Sequence, residues 1–283
     1  MNLEEQTKQI MRKYNIYAAK SLGQNFLIND EVVDGIIEKA QINENDLIIE
    51  IGPGLGTLTE RLLEKAGKVV CIELDNRMIK ILKDRFANKD NFQLIHDDVL
   101  KVDLQSLINE NANLTAKVVA NLPYYITTPI IMKLLEERLK LQSITVMVQK
   151  EVADRLTAHG GQANTGAITY TINYYTKPCK VIDVPSSSFI PAPQVDSSVI
   201  KLDVLSNPSV DVKNEELFFK VIKCAFMQKR KTLLNSLTSS KLFGDKQTIE
   251  EMLNSLGINS GIRAEKLTIE DFAKITKYID DVK

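Results

Sequence analysis

The chain has 283 residues, 44% of them hydrophobic, enough for one large α/β domain with a small appendage and too many for a disordered polymer. Its 36 basic and 37 acidic residues leave a formal charge of −1, which excludes a uniformly basic nucleic-acid binder and confines any such surface to a local patch. Cys71, Cys179 and Cys224 are too scattered for a disulfide framework or zinc site, and His96 and His159 too isolated for a histidine-based one, so reduced cysteines, no metal and a cytoplasmic location are expected.

The start, Met1-Asn2-Leu3-Glu4-Glu5, has no apolar signal region, and no apolar stretch approaches the about 20 residues that cross a bilayer. No membrane association is expected. A charged helix leads into Lys20-Ser21-Leu22-Gly23-Gln24-Asn25-Phe26 and then a helical pattern over residues 29–40. From about Asp46 onward apolar runs alternate with helical patterns, the signature of a parallel sheet covered on both faces. Residues 46–51, 68–74, 92–96, 116–121 and 143–149 read as strands, with helices over 57–66, 75–87 and 128–139. Residues 167–176, β-branched and aromatic, and 199–204, which alternate, read as the strands that finish the sheet. The prolines of 185–193 block helix and ladder bonding and predict a loop. Beyond Asn207-Pro208 come four predicted helices, 215–225, 228–237, 247–256 and 268–279, the last opened by a Thr268-Ile269-Glu270-Asp271 capping box. The expected organisation is a sheet domain over 1–206 and a helical domain over 207–283.

The chemistry gathers at strand ends. Glu50-Ile51-Gly52-Pro53-Gly54-Leu55-Gly56 follows the first of these strands, where a glycine-rich turn lets backbone approach a nucleotide cofactor. The third glycine of a dinucleotide fingerprint is replaced by Thr57, so a diphosphate cradle is not clearly provided. Glu73, about 20 residues on at the end of the next strand, can accept bonds from both ribose hydroxyls, and Asp98 closes the third strand region. Ribose and base contacts without a diphosphate cradle point to S-adenosylmethionine. Asn121-Leu122-Pro123-Tyr124 ends the fourth strand with an amide, a residue lacking N–H and a flat ring, suited to a planar heterocycle carrying an amine.

With these motifs in this order the chain resembles the Rossmann-like methyltransferases that act on the exocyclic amine of adenine, and more narrowly the ribosomal RNA adenine dimethyltransferases. Three further segments carry the narrower resemblance: Leu22-Gly23-Gln24-Asn25-Phe26-Leu27, Phe189-Ile190-Pro191-Ala192-Pro193-Gln194-Val195-Asp196-Ser197 and Phe226-Met227-Gln228-Lys229-Arg230-Lys231-Thr232-Leu233. The small-subunit branch, linked to kasugamycin sensitivity, matches best, through the Gln-Lys-Arg-Lys helix and the small C-terminal domain. The resemblance implies a Rossmann-like sheet with a C-terminal all-helical domain. It further implies dimethylation of two adjacent adenosines near the 3′ end of small-subunit RNA within a precursor of that subunit, by a monomer.

Carried onto this sequence, the resemblance places Asn25, Leu27, Gly52 and Gly54 against the cofactor, Glu73 at its ribose, Asp98 at its adenine amine, with Asp97 competing for that role, and Asn121 at the boundary between cofactor and target. Asn121, Leu122, Pro123 and Tyr124 would hold the target, with Phe189 as the second face of an aromatic sandwich. Lys229, Arg230 and Lys231, with Lys8, Arg12, Lys13 and Lys20, are the expected phosphate contacts. The rivals are the resistance-type methyltransferases of large-subunit RNA, adenine methylation of DNA, and a non-catalytic ribosome-assembly factor. A nicotinamide oxidoreductase is disfavoured by Thr57.

Overall fold

The computed structural model describes residues 2–18, 23–162 and 164–282. In chain order its elements are α1 (Leu3–Lys13), β1 (Phe26–Leu27), α2 (Asp30–Ala40), β2 (Asp46–Ile51), α3 (Thr57–Lys65), β3 (Lys68–Glu73), α4 (Asn76–Phe86), β4 (Phe92–His96), α5 (Leu104–Glu110), β5 (Thr115–Asn121), α6 (Thr127–Glu136), β6 (Ser143–Gln149) and α7 (Lys150–Leu156). There follow α8 (Ala167–Tyr175), β7 (Thr176–Val184), β8 (Phe189–Ile190), β9 (Ser197–Val204), α9 (Glu215–Phe226), α10 (Leu233–Ser240), α11 (Lys246–Ser255) and α12 (Ile269–Val282). The chain divides into two units, Met1–Ala153 with Cys179–Val204, and Asp154–Pro178 with Leu205–Lys283.

The first unit carries a seven-stranded sheet in the order β4-β3-β2-β5-β6-β9-β7. Strands β2 to β6 are mutually parallel, and β9 runs antiparallel to β6. Every residue of β2 is buried, as a strand covered on both faces requires. The chain leaves β2 toward β3 and β4 and returns on its other side as β5, so the strand order reverses beside β2. A crevice therefore opens at the carboxyl ends of β2 and β5, where ligands of such sheets bind. At the opposite end the β2 and β5 register is pinned by Lys117, whose Nζ lies 2.8 Å from Asp46 Oδ2 with both side chains buried.

Three segments fold differently from the reading of the sequence, one of them 185–193, expected as an irregular loop, in which Phe189–Ile190 pairs as β8 with β1. Of residues 167–176, expected as a strand, 167–175 form helix α8, because i,i+4 spacing lets Tyr170 and Tyr174 bury together in the second unit. Tyr170 packs against Phe226 and Phe272, and Tyr174 against Phe218 and Phe219. The Tyr170 hydroxyl donates to the Leu267 carbonyl at 2.7 Å. These contacts outweigh a β-prone composition. The predicted helix 228–237 begins only at Leu233, capped by Thr232, whose Oγ1 accepts from Asn235 N at 3.3 Å. Lys229, Arg230 and Lys231 thus lie in an exposed turn closed by Lys231 N to Gln228 O, and three cations would oppose the positive end of a helix beginning there. Strand β7 escaped prediction because its Pro178 and lysines belong to a sheet edge, where an N–H is dispensable. Thr268 and Asp271 do form a reciprocal cap at the start of α12, at 3.2 and 3.0 Å.

Candidate active site

Strand β2 delivers Glu50 and then turns through Gly52, Gly54 and Gly56, whose φ values of +67°, +56° and +80° favour glycine. Gly56 is also held by space, since a Cβ there would stand 2.5 Å from the Phe86 ring. Arg85 fastens the same turn from α4, donating through Nη1 to the Leu55 carbonyl and through Nη2 to Glu60 Oε2 at 2.9 Å.

At the end of β3, Glu73 is held by three backbone amides. Leu74 N and Asp75 N donate to Oε1 at 2.8 Å each, and Gly54 N donates to Oε2 at 3.2 Å. Burial pushes the Glu73 carboxyl up; the amides of Asp75, Gly54 and Leu74 pull it back, and the net direction is upward. Past β4, Asp98 Oδ1 accepts from Leu100 N at 3.0 Å, and Asp97 Oδ1 accepts from Asp98 N at 2.7 Å. Of the two, Asp97 is exposed and Asp98 half-buried.

At the end of β5, Asn121 donates from Nδ2 to the Asn25 carbonyl at 3.3 Å. Neither its Oδ1 nor the Leu122 carbonyl accepts a hydrogen bond from any described residue. The Pro123 carbonyl is taken by Ile126 N and Thr127 Oγ1. Tyr124 is half-buried with its hydroxyl 2.7 Å from Ser197 Oγ, whereas the neighbouring Tyr125 is 59% exposed. The N-terminal segment crosses these strand ends as β1, which pairs antiparallel with β8.

One cavity is lined by Asn25, Leu27, Gly52, Gly54, Glu73, Asp97, Asp98, Asn121, Leu122, Pro123 and Tyr124 together. Phe189 is the exception. It sits opposite Leu27 in the β1 and β8 pair with 3% of its surface exposed, packed into the hydrophobic core, and is not part of the lining. A side chain so enclosed presents no ring face to a base. Lys229, Arg230 and Lys231 lie in the second unit, and no described residue forms an ion pair with them. Lys8 is paired with Glu4 at 2.6 Å and Lys13 lies over the Tyr14 ring, while Lys20 and Leu22 fall outside the described residues.

Among the lining residues assigned no role from the sequence are the polar Gln24, Glu50 and Asp75. Glu50, 1% exposed, accepts from Thr59 Oγ1 at 2.6 Å and from Cys71 Sγ at 3.3 Å. Burial drives its pKa up to about 7 against those two bonds, with the Glu73 charge adding to the rise. The one signal available was an acid inside the run Leu47-Ile48-Ile49-Glu50-Ile51.

Five acidic side chains, Glu50, Glu73, Asp75, Asp97 and Asp98, line this cavity, and among the described residues no Lys, Arg or His does. That donor set fits an adenosine whose far end carries positive charge and repels a diphosphate. The fold and this site define a Rossmann-like S-adenosylmethionine-dependent methyltransferase. The profile of the ribosomal RNA adenine dimethylase family matches residues 16–281, and the chain belongs to that family. The chain is 50% identical over 276 residues to the ribosomal RNA small subunit methyltransferase A of Clostridium acetobutylicum, covering 98% of this chain and 99% of the other. It is 46% identical over 269 residues to the protein of the same name from Alkaliphilus oremlandii, covering 95% and 94%. Among solved structures it is similar to a dimethyladenosine transferase from Plasmodium falciparum, with TM-score 0.75, 30% identity and 90% and 98% coverage. The 23S rRNA methyltransferase ErmE shares the fold, with TM-score 0.70, 22% identity and 90% and 100% coverage.

Proposed function

We propose that this protein transfers methyl groups from S-adenosylmethionine to the exocyclic amines of two adjacent adenosines near the 3′ end of small-subunit ribosomal RNA. The observation that carries the reading is the acid-lined cavity opening directly onto Asn121-Leu122-Pro123-Tyr124. When bound, adenosylmethionine supplies a methyl group already activated by the charge on its sulfur.

The rest falls to the protein. Glu73, fixed by three amides, keeps lone pairs for the ribose hydroxyls, and Asp98 takes the amine of the cofactor's adenine. Asn121 Oδ1 and the Leu122 carbonyl accept hydrogen bonds from the target amine, which turns its lone pair out of the ring and toward the donor. No prior deprotonation is required, because the amine proton becomes acidic only as nitrogen gains charge, and it then leaves to solvent. In the second transfer a methyl replaces one N–H, and Pro123, with no N–H of its own, leaves that pocket without an unsatisfied donor.

Tyr124 stacks on the extruded base, its ring oriented by the bond to Ser197. Lys229, Arg230 and Lys231 contact phosphates. The substrate particle is a late precursor of the small subunit, met in the cytoplasm by a monomer. Among the described residues no helix is long and apolar enough to cross a membrane. Small subunits from an unmethylated strain should gain four methyl groups on two neighbouring adenosines when incubated with the protein and cofactor. Mass mapping that located methyl groups on large-subunit RNA, or none, would overturn the reading.

A further inference from the structure

Behind the ribose end of the cavity lies a cluster that the mechanism above does not use. Asp75 is 9% exposed and carries four kinds of contact. Its backbone N donates to Glu73 Oε1, its Oδ1 caps α4 by accepting from Arg77 N at 2.9 Å, and its Oδ2 accepts from Gln24 Nε2 at 2.9 Å. The Arg77 guanidinium then closes over both carboxylate oxygens, Nε at 3.0 Å from Oδ1 and Nη2 at 2.5 Å from Oδ2. It also reaches the N-terminal segment, with Nη1 3.4 Å from the Tyr17 carbonyl and Nη2 3.4 Å from Gln24 Oε1. Gln24 and Asp75 line the cavity; Arg77 does not.

We propose that Arg77 is a positioning residue that acts through Asp75, holding the Gln24–Asn25 segment against the ribose end of the site and keeping Glu73 an ionised acceptor there. The inference rests on the cofactor reading given above. Two carboxylates two residues apart in a buried corner favour the doubly ionised state only with a cation close by. Burial pushes Asp75 up, but the Arg77 side chain and backbone and the Gln24 amide outweigh it and bring the net direction down. With the guanidinium gone, the Asp75 charge would bear unopposed on Glu73 and the pair would take up a proton at higher pH. The other titratable groups near Glu73 are Glu50 on β2, Cys71 on its own strand, His96 across the β3 and β4 register, and Asp97 and Asp98 beyond β4. All are common to the proteins compared below.

The test is calorimetric binding of S-adenosylhomocysteine to the full chain at pH 8 and pH 6, for wild type, Arg77→Met and the double variant Asp75→Asn/Arg77→Met. Arg77→Met should weaken binding roughly tenfold at pH 8 and by a clearly larger factor at pH 6. The double variant, with no charge left to neutralise, should recover the wild-type ratio between the two pH values. In turnover, the loss in Arg77→Met should fall on KM for the cofactor more than on kcat. Wild-type affinity in Arg77→Met at both pH values would overturn the proposal. So would an equal loss at both pH values that Asp75→Asn does not relieve, since that marks a purely structural role. A wild-type protein that failed to bind S-adenosylhomocysteine would instead refute the cofactor reading itself.

Discussion

Glu50 makes the site legible in a stability measurement. An acid near pKa 4.5 in the unfolded chain and about 7 in the folded one binds its proton more tightly when folded. Its contribution is therefore fully present below pH 4.5, declines as pH rises, and is lost above about 7. Two and a half units at 1.36 kcal/mol each amount to about 3 kcal/mol. Glu50→Gln keeps an acceptor for Thr59 and cannot ionise, so it removes this slope. Thermal unfolding at pH 5 and pH 8 should find wild type losing about 2.5 kcal/mol more than the variant across that interval, since part of the contribution is already gone at pH 5. That corresponds to several degrees in Tm, the variant being the more stable at pH 8. Glu73 titrates in the same direction but is present in both proteins, so the difference isolates Glu50. A variant that retained the wild-type pH slope would refute the assignment, because the slope would then belong to another group. The unfolding signal should be read as two transitions if the two units melt separately.

Asn121→Ala should lower turnover by about 10²-fold or more while S-adenosylhomocysteine binding, read by calorimetry, changes only modestly, since in the proposed reaction the lost acceptor serves the target amine. Gly56→Ala should destabilise the protein by roughly 1–3 kcal/mol in denaturant unfolding, because φ is +80° and the new methyl meets Phe86; wild-type stability would mean the turn is not confined. The pair Lys229→Glu and Lys231→Glu should weaken binding to ribosomal RNA and reduce the salt slope of log K by roughly 1.4. Their S-adenosylhomocysteine affinity should match wild type, and a parallel loss of both would point to misfolding.

Strands β2 to β6 could be read to within about a residue, β2, β3, β5 and β6 because burial on both faces leaves them mainly apolar, and the partly exposed edge strand β4 from its Phe92, Leu94 and Ile95. Glu73 was readable for the same reason, as the first charged side chain after such a run, whereas after β4 Asp97 comes first and Asp98 second. Helix α8 was not readable, since Ile168, Thr169, Tyr170 and Thr171 favour a strand locally and only the aromatic partners of the second unit decide otherwise. Phe189 was misplaced because a proline-flanked loop says nothing about whether its aromatic faces in or out, and here pairing with β1 turns it inward. Glu50 lay in plain view but its environment did not, being assembled by Thr59 and Cys71 from two other elements.

A sheet that reverses its strand order beside a glycine turn accepts dinucleotides and adenosylmethionine alike, so topology alone does not choose between them. The choice is made by charge. A diphosphate would have to sit among Glu50, Glu73, Asp75, Asp97 and Asp98 with no described basic side chain in the lining, whereas a sulfonium and an α-amino group gain from the same field. That field also orders the roles along the cavity. The carboxylates occupy the ends of β2, β3 and β4, and the wall at the end of β5 is neutral, offering an amide oxygen and a backbone carbonyl. A neutral wall of acceptors suits an uncharged aromatic amine. In methyl transfer the positive charge would pass from the donor to the target nitrogen, and the carbonyl oxygens before the amine would stabilise it where it develops. The arrangement thus specifies a cationic donor and a neutral nitrogen acceptor by electrostatics, with the glycine turn and β1 fixing where the two meet.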